Sequence, residues 1–202
     1  MPDIVAAKFR EWTQGRNPRE ARIAIFNHIR DIPYAVIPEL NDPGRYIKML
    51  ELNRGSCTPK HFLLCTMFQK LGLAVLYVVY RYRWDEFAEL YPPELRKLAS
   101  EMPLGNHLAC KVDIDGKLAL VDATLDPSLA IAGLPVNQNW DGISDTLLPV
   151  QPVDEEQVYH PSEADLIQAQ ELTDTTRAFY NGLNAWMELL RMKNGGINEN
   201  AA

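Results

Sequence analysis

Apolar side chains recur at every third or fourth position in the first part of the chain, and this spacing predicts amphipathic helices. Asn17 and Pro18 supply the N-cap and the first helical residue of the second helix. The run from His61 to Leu71 is apolar at almost every position, so we expect a central helix that is buried on all sides. The helices predicted before residue 105 cover 4–13, 18–32, 45–50, 61–71 and 93–100.

Runs rich in β-branched and aromatic residues follow the central helix and predict an antiparallel sheet. Gly72 stands where a glycine is expected just past a helix end. Asp115-Gly116 joins the last two runs, and this dipeptide is typical of a two-residue hairpin turn. With that turn Ile114 pairs with Lys117, which sets the register of the whole hairpin. The predicted strands cover 73–80, 107–114 and 117–122.

The order of these elements predicts an α+β fold in which an antiparallel sheet packs on the central helix and further helices flank it. We expect one domain over residues 1–202 with its core at about 22–127. The stretch 128–161 is predicted to be rich in loops because it shows little periodicity. Ser162 begins a helical pattern over 162–193, and the polar tail 194–202 is expected to be disordered.

Composition narrows the classes of protein to consider. The chain has 202 residues, of which 47% are hydrophobic and 23% charged, and its net charge is −7. This acidic balance argues against a nucleic-acid partner, since phosphate binding needs clustered Lys and Arg. The longest apolar run, Leu71–Tyr80, is too short to cross a bilayer, and the first residues lack a signal-peptide pattern. We therefore expect a cytoplasmic protein without a membrane partner, while its oligomeric state stays open.

The three cysteines contain no CxxC pair and their number is odd, so a disulfide framework is not expected. Cys57 lies at the start of the central helix, where unpaired N–H groups and the helix dipole favour a thiolate. A small buried core residue is the alternative interpretation of this cysteine. Cys65, about 12 Å further along the helix, and Cys110 are predicted to be core residues. The four histidines lack paired ligand spacing, so neither a metal nor a cofactor is expected.

The predicted hairpin places His107 and Asp122 as diagonal neighbours on one face, about 7–8 Å apart along the backbone. A carboxylate at that position fixes the imidazole tautomer and stabilises the imidazolium that forms when a thiol is deprotonated. Ala109 shares the face, and its small side chain is expected to let the sheet approach the central helix. His61 is the rival base because it follows Cys57 by four residues, although no acidic residue lies near it in sequence.

Several short motifs resemble those of the transglutaminase-like superfamily, whose members have papain-like folds. The resemblance covers about residues 22–127 and implies an α+β core of papain-like or transglutaminase-like type. It also implies that Cys57 is the nucleophile, His107 the base and Asp122 the orienting residue. Trp84, in the segment 81–104 between the first two strands, could line a substrate cleft. The matching stretches are Gly55-Ser56-Cys57, Lys70-Leu71-Gly72-Leu73, Asn106-His107-Leu108, Asp113-Ile114-Asp115-Gly116 and Val121-Asp122-Ala123-Thr124.

The resemblance implies a cysteine-dependent acyl-transfer enzyme that acts on a peptide, an amide or a small acyl substrate. The oxyanion would be stabilised by the N–H of Cys57 and a neighbour near Asn53, and water or an amine would resolve the thioester. Two alternatives stay open. The chain could be a catalytically idle binding or scaffold module with the helix 162–193 as partner surface. Arg54-Gly55-Ser56-Cys57 also resembles a motif of arylamine N-acetyltransferases, which implies an acetyl-CoA-dependent enzyme.

Overall fold

A four-stranded antiparallel sheet and the helices around it make up the α+β fold of the computed structural model, which describes residues 3–167 and 170–198. The strand order is β3-β2-β1-β4. None of the described helices combines the length and apolar composition that a membrane crossing needs. The helices are α1 (Ile4–Thr13), α2 (Pro18–Arg30), α3 (Met49–Leu52), α4 (Cys57–Lys70), α5 (Pro93–Glu101) and α6 (Asp174–Asn198), and the strands are β1 (Val75–Tyr82), β2 (Gly105–Ile114), β3 (Lys117–Val121) and β4 (Gln157–Tyr159).

Helix α4 lies at the centre of the larger apolar cluster, as its sequence predicts. Phe62, Leu63 and Phe68 are buried and pack with the face of β2 that carries Leu108 and Cys110. Burial on all sides removes the apolar surface of α4 from water. This burial stabilises the helix against the sheet more than its helix propensity does. The first residue of this buried helix is the candidate nucleophile, so the packing of α4 fixes the position of that residue.

The hairpin of β2 and β3 has the predicted register. Ile114 pairs with Lys117 and Cys110 pairs with Val121. Both turn residues have positive φ, 55° at Asp115 and 84° at Gly116, which is the conformation of a type I′ turn. This register places Asp122, the residue after β3, beside the half of β2 that contains His107.

The C-terminal part departs from the predicted helix over 162–193. Residues 157–159 form β4, where Tyr159 pairs with Tyr77, and a 3-10 turn over Pro161–Leu166 follows. Helix α6 begins only at Asp174, because the Thr173 hydroxyl accepts a hydrogen bond from the Thr176 N–H (3.2 Å). The prediction of a helix start at 162 was wrong. Of the predicted polar tail, 194–198 are the last residues of α6, and 199–202 lie outside the described residues.

Polar contacts attach α6 to the segment that precedes the candidate nucleophile. Asn184 accepts from the Val36 N–H (2.8 Å) and donates to the Val36 carbonyl (2.9 Å). Arg191 forms an ion pair with Asp126 at 2.6 Å. The apolar stripe of α6 packs in a second cluster with α5 and residues of 82–91. Helix α6 is therefore one wall of the region in which the candidate site lies.

Candidate active site

Cys57 is held at the start of α4 by a tightly packed loop. The Gly55 N–H donates to the Pro33 carbonyl (3.2 Å), and the Ala35 N–H donates to the Gly55 carbonyl (3.2 Å). A Cβ at position 55 would overlap the Met49 side chain, so glycine permits this packing. The Cys57 side chain is 7% exposed, and as the first helical residue it lies beside the positive end of the α4 dipole.

His107 and Asp122 form a short buried hydrogen bond. The imidazole Nε2–H donates to Asp122 Oδ2 at 2.6 Å, and both residues are at most 3% exposed. The other carboxylate oxygen, Oδ1, accepts from the Thr124 N–H at 3.0 Å. The backbone of Asp122 is anchored as well, by the Thr146 hydroxyl (2.8 Å) and the Asn137 amide (3.1 Å). The carboxylate is thus fixed in place and holds one tautomer and orientation of the imidazole.

The Cys57 thiol interacts with the His107 imidazole, since each of the two groups shifts the pKa of the other. Because Nε2 of that ring is bonded to Asp122, the nitrogen left for the thiol is Nδ1. The sulfur also lies 3.9 Å from the Thr58 hydroxyl and 3.9 Å from the Asn106 carbonyl oxygen. The structure therefore brings together the three residues that the sequence proposes as nucleophile, base and orienting carboxylate.

The electrostatic interactions among Cys57, His107 and Asp122 favour the charged forms of all three side chains. Burial acts to raise the pKa of the Cys57 thiol, but the hydrogen bond and charge of His107 outweigh it and the pKa is lowered. Burial also disfavours a charged imidazole, yet the Asp122 carboxylate raises the pKa of His107 to about 10. The pKa of Asp122 is lowered despite its burial, chiefly by the charge of His107. A thiolate, an imidazolium and a carboxylate are the states that these shifts support.

His61, the rival base, has a structural role in this arrangement. Its Nδ1–H donates to the Cys57 carbonyl (2.8 Å), and its Nε2 accepts from the Ala123 N–H (3.0 Å). Both ring nitrogens are therefore occupied in the neutral form, and burial lowers the pKa of His61 to about 4. The ring ties the first turn of α4 to the residue after Asp122, and neither nitrogen is left to take a proton from the thiol.

Replacing His61 with Leu is expected to lower the free energy of unfolding by about 2 kcal/mol, because it leaves the buried Ala123 N–H without a partner. His61→Gln is the matched variant, since its side-chain oxygen can accept from that N–H and should restore part of the loss. Urea denaturation of both variants measures the difference. Equal stability of the Leu variant and the wild type would contradict this structural role.

The other two cysteines lie in the core, as their sequence positions predict. Cys65 and Cys110 are fully buried in the larger apolar cluster. Burial, together with the neighbouring Cys110 thiol, raises the pKa of Cys65 well above its usual value. Within the described residues, no group of three or more His, Cys, Asp or Glu side chains is arranged to hold a metal ion.

A narrow cavity of about 40 Å³ lies beside Cys57, enough for a few water molecules at most. It shares Val79, Asn106 and Gln170 with an outer cavity of about 480 Å³, a size typical of small-ligand sites. Trp84 lines the inner cavity, so this tryptophan does line a cleft next to the thiol. Asn53, near which a second oxyanion donor is expected from the sequence, is exposed and does not line the inner cavity.

No protein-family model matches the chain, and comparisons with curated proteins and with solved structures give no match. The site geometry and the sequence motifs are therefore the features of this chain that bear on its function.

Proposed function

We propose that the protein is a cysteine-dependent acyl-transfer enzyme with a papain-like or transglutaminase-like core and a Cys57-His107-Asp122 triad. The observation that carries this proposal is the buried 2.6 Å bond from His107 to Asp122 beside a thiol whose pKa is lowered. An imidazole held by a carboxylate next to a nucleophile is the arrangement that covalent catalysis requires. The motifs that resemble the transglutaminase-like superfamily supply the same three residues independently.

The chemistry follows from the protonation states. The Cys57 thiolate attacks an amide or thioester carbonyl, and a carbon–sulfur bond forms as negative charge moves to the carbonyl oxygen. The backbone N–H of Cys57, at the positive end of α4, stabilises that oxyanion. Collapse of the intermediate breaks the bond to the leaving group, which takes a proton from the His107 imidazolium. Water or an amine then attacks the thioester and gives its proton to His107, and the thiolate is released.

An idle scaffold fits the observations less well than an enzyme does. A scaffold that uses α6 as partner surface would present the apolar stripe of that helix, whereas Phe179 and Leu183 on the stripe are buried. A retained but unused triad would also keep a charged carboxylate and imidazole in the interior. Burying these charges costs stability and would serve no function. Burial of paired charges at a cavity is instead typical of catalytic sites.

Alkylation by iodoacetamide across pH tests the thiolate. We expect Cys57 to react with an apparent pKa below that of a free thiol, because His107 stabilises the thiolate. Cys65 and Cys110 should stay unmodified in the folded protein because they are fully buried. Peptide mass spectrometry assigns the modified residue, and Cys57→Ser is the control that should remove labelling. Labelling of Cys57 with the apparent pKa of a free thiol, and no faster than that of Cys65, would contradict the proposal.

Turnover distinguishes the remaining possibilities. Wild type and Cys57→Ala are compared on a fluorogenic amide library, first in water and then with added primary amine. Faster product formation with amine indicates transfer, and equal rates indicate hydrolysis. Incubation with acetyl-CoA followed by intact-mass measurement tests the acetyltransferase alternative, which requires acetylated Cys57. Turnover in neither variant, together with absence of any covalent adduct, would favour the scaffold.

A further inference from the structure

Two buried hydrogen-bond donors line the cavity beside Cys57 and have no partner among the described residues. They are the indole Nε1–H of Trp84 and the amide Nε2 of Gln170. Trp84 is only 8% exposed, so its N–H cannot turn to bulk water. A buried donor without a partner costs stability, so such a group in a native fold needs an explanation, and an ordered water or a bound ligand can provide it. A substrate that brings acceptor oxygens to these donors supplies one.

Tyr180 fixes the orientation of the Gln170 amide. Its hydroxyl donates to Gln170 Oε1 at 2.7 Å, so the oxygen of the amide is already engaged. The NH2 group is then left with its N–H bonds for other acceptors. The same tyrosine ring contacts the Trp84 ring edge-on, with centroids 5.7 Å apart. One residue of α6 therefore positions both donors.

Gly105 allows the Trp84 indole to lie against the start of β2. A Cβ at position 105 would come within 2.9 Å of Trp84 Nε1 and 2.6 Å of the Tyr82 ring, so any larger residue would displace them. The next residue, Asn106, has its carbonyl oxygen 3.9 Å from the Cys57 sulfur. The indole N–H is thereby held next to the backbone that contacts the nucleophile, and the packing of rings around it keeps it rigid.

The outer cavity has polar lining residues that could contact a substrate chain extending outward from the Cys57 thiol. It is lined by Arg81, Gln157 and Tyr159 and meets the inner cavity at Asn106 and Gln170. Gln170 thus lies where the two cavities join, and Trp84 lies deeper, in the wall of the inner one. A simple alkyl acyl group would leave both donors unpaired, whereas an acyl group with a second carbonyl would pair at least one.

We propose that Trp84 and Gln170 form a specificity site that binds a carbonyl oxygen adjacent to the scissile carbonyl, so that the substrate class is N-acylaminoacyl or peptidyl compounds. This inference rests on the proposed function. Both residues are specificity-determining, because they act on a substrate group that does not react. Sites built to hydrogen-bond a substrate group discriminate strongly against analogues that lack it.

A matched pair of esters tests the inference. p-Nitrophenyl N-acetylglycinate carries an amide in place of two methylene groups of p-nitrophenyl valerate, and the two acyl chains have the same length. The wild type should prefer the acetylglycinate in kcat/KM after subtraction of the Cys57→Ala rate. Trp84→Phe and Gln170→Leu should each reduce that preference by about tenfold, since each removes one donor to the acceptor. Tyr180→Phe should reduce it less, because the amide remains but is no longer oriented.

Trp186→Phe is the control, since this tryptophan packs edge-on against Tyr91 (5.2 Å) in the same apolar cluster but does not line the inner cavity. It should leave the preference unchanged. If Trp84→Phe fails to fold, Gln170→Leu carries the test alone. An unchanged preference in the variants, or equal slowing of both esters, would overturn this inference while leaving the proposed function intact. No Cys57-dependent turnover and no acyl-Cys57 in the wild type would overturn the proposed function and, with it, the specificity site.

Discussion

Replacing His107 with Gln is expected to lower kcat/KM for p-nitrophenyl N-acetylglycinate by about 10⁴- to 10⁶-fold, the range found when the base of a nucleophile–base pair is removed. The Gln side chain can still donate to Asp122, which accepts from Nε2 of the native ring at 2.6 Å. It cannot take a proton from Cys57 or stabilise its thiolate by charge. The change therefore removes the chemistry while it keeps the buried carboxylate hydrogen-bonded.

Alkylation kinetics separate this chemical effect from a structural one. Since His107 lowers the pKa of the Cys57 thiol, His107→Gln should move the labelling profile to higher pH. His28→Gln is the matched control, because His28 is exposed and stacks on Trp12 at 4.8 Å, outside the cavities that flank the triad. It should change neither the rate nor the profile. Activity within tenfold of the wild type in His107→Gln would require another base and would contradict the triad.

The wild-type pH dependence follows from the same shifts. Activity should fall as the pH drops through the lowered pKa of Cys57, because the thiolate is then protonated. With an amide substrate it should fall again as the pH rises through about 10, where the His107 imidazolium loses the proton that the amine leaving group needs. A bell-shaped profile of kcat/KM, with its acid limb below the pKa of a free thiol, is the expected shape.

The part of the site that could be predicted from sequence depends on local rules. A two-residue Asp-Gly turn fixes the register, and strand alternation then places His107 and Asp122 on one face, as observed. The position of Cys57 at a helix start is local as well, since an apolar helical run begins there. Such rules need no knowledge of the rest of the fold.

Features that depend on distant packing could not be predicted in this way. Ala109 packs with Val78 and Tyr80 and not toward α4, which meets the opposite face of β2. His61 has backbone groups as its partners, and no sequence pattern indicates such contacts. Ser162 and Thr173 are both good N-cap residues, but Pro161–Leu166 form a 3-10 turn that His160 caps, and α6 begins only after Thr173. The orientation of Gln170 likewise depends on Tyr180, ten residues along the chain.

The second large effect is expected at Lys60, a buried lysine one helical turn from Cys57. Lys60 is fully buried, and its Nζ donates to the carbonyls of Arg30 (3.0 Å) and Thr124 (2.7 Å). It thereby links the end of α2 to the residue whose N–H bonds Asp122. Burial lowers the pKa of Lys60 to about 7, because the charged form is poorly solvated there. Lys60→Met keeps the length of the side chain and removes both hydrogen bonds, each of which contributes about 1 kcal/mol.

That cost should increase with pH. Between pH 7 and 10.5 the unfolded chain keeps a proton on Lys60 that the folded protein has lost, so the wild type gains stability as the pH rises. Lys60→Met lacks this gain, and its deficit should grow by about 3 kcal/mol from pH 7 to 9.5. The shifts of Cys57 and His107 are common to both proteins and cancel in the difference. Urea denaturation at pH 7 and at pH 9.5 measures the change in this deficit. Lys70→Met, at the exposed end of α4, is the control, and its stability relative to the wild type should not change with pH. A deficit that stays constant or shrinks toward pH 9.5 would show that the folded protein keeps Lys60 charged.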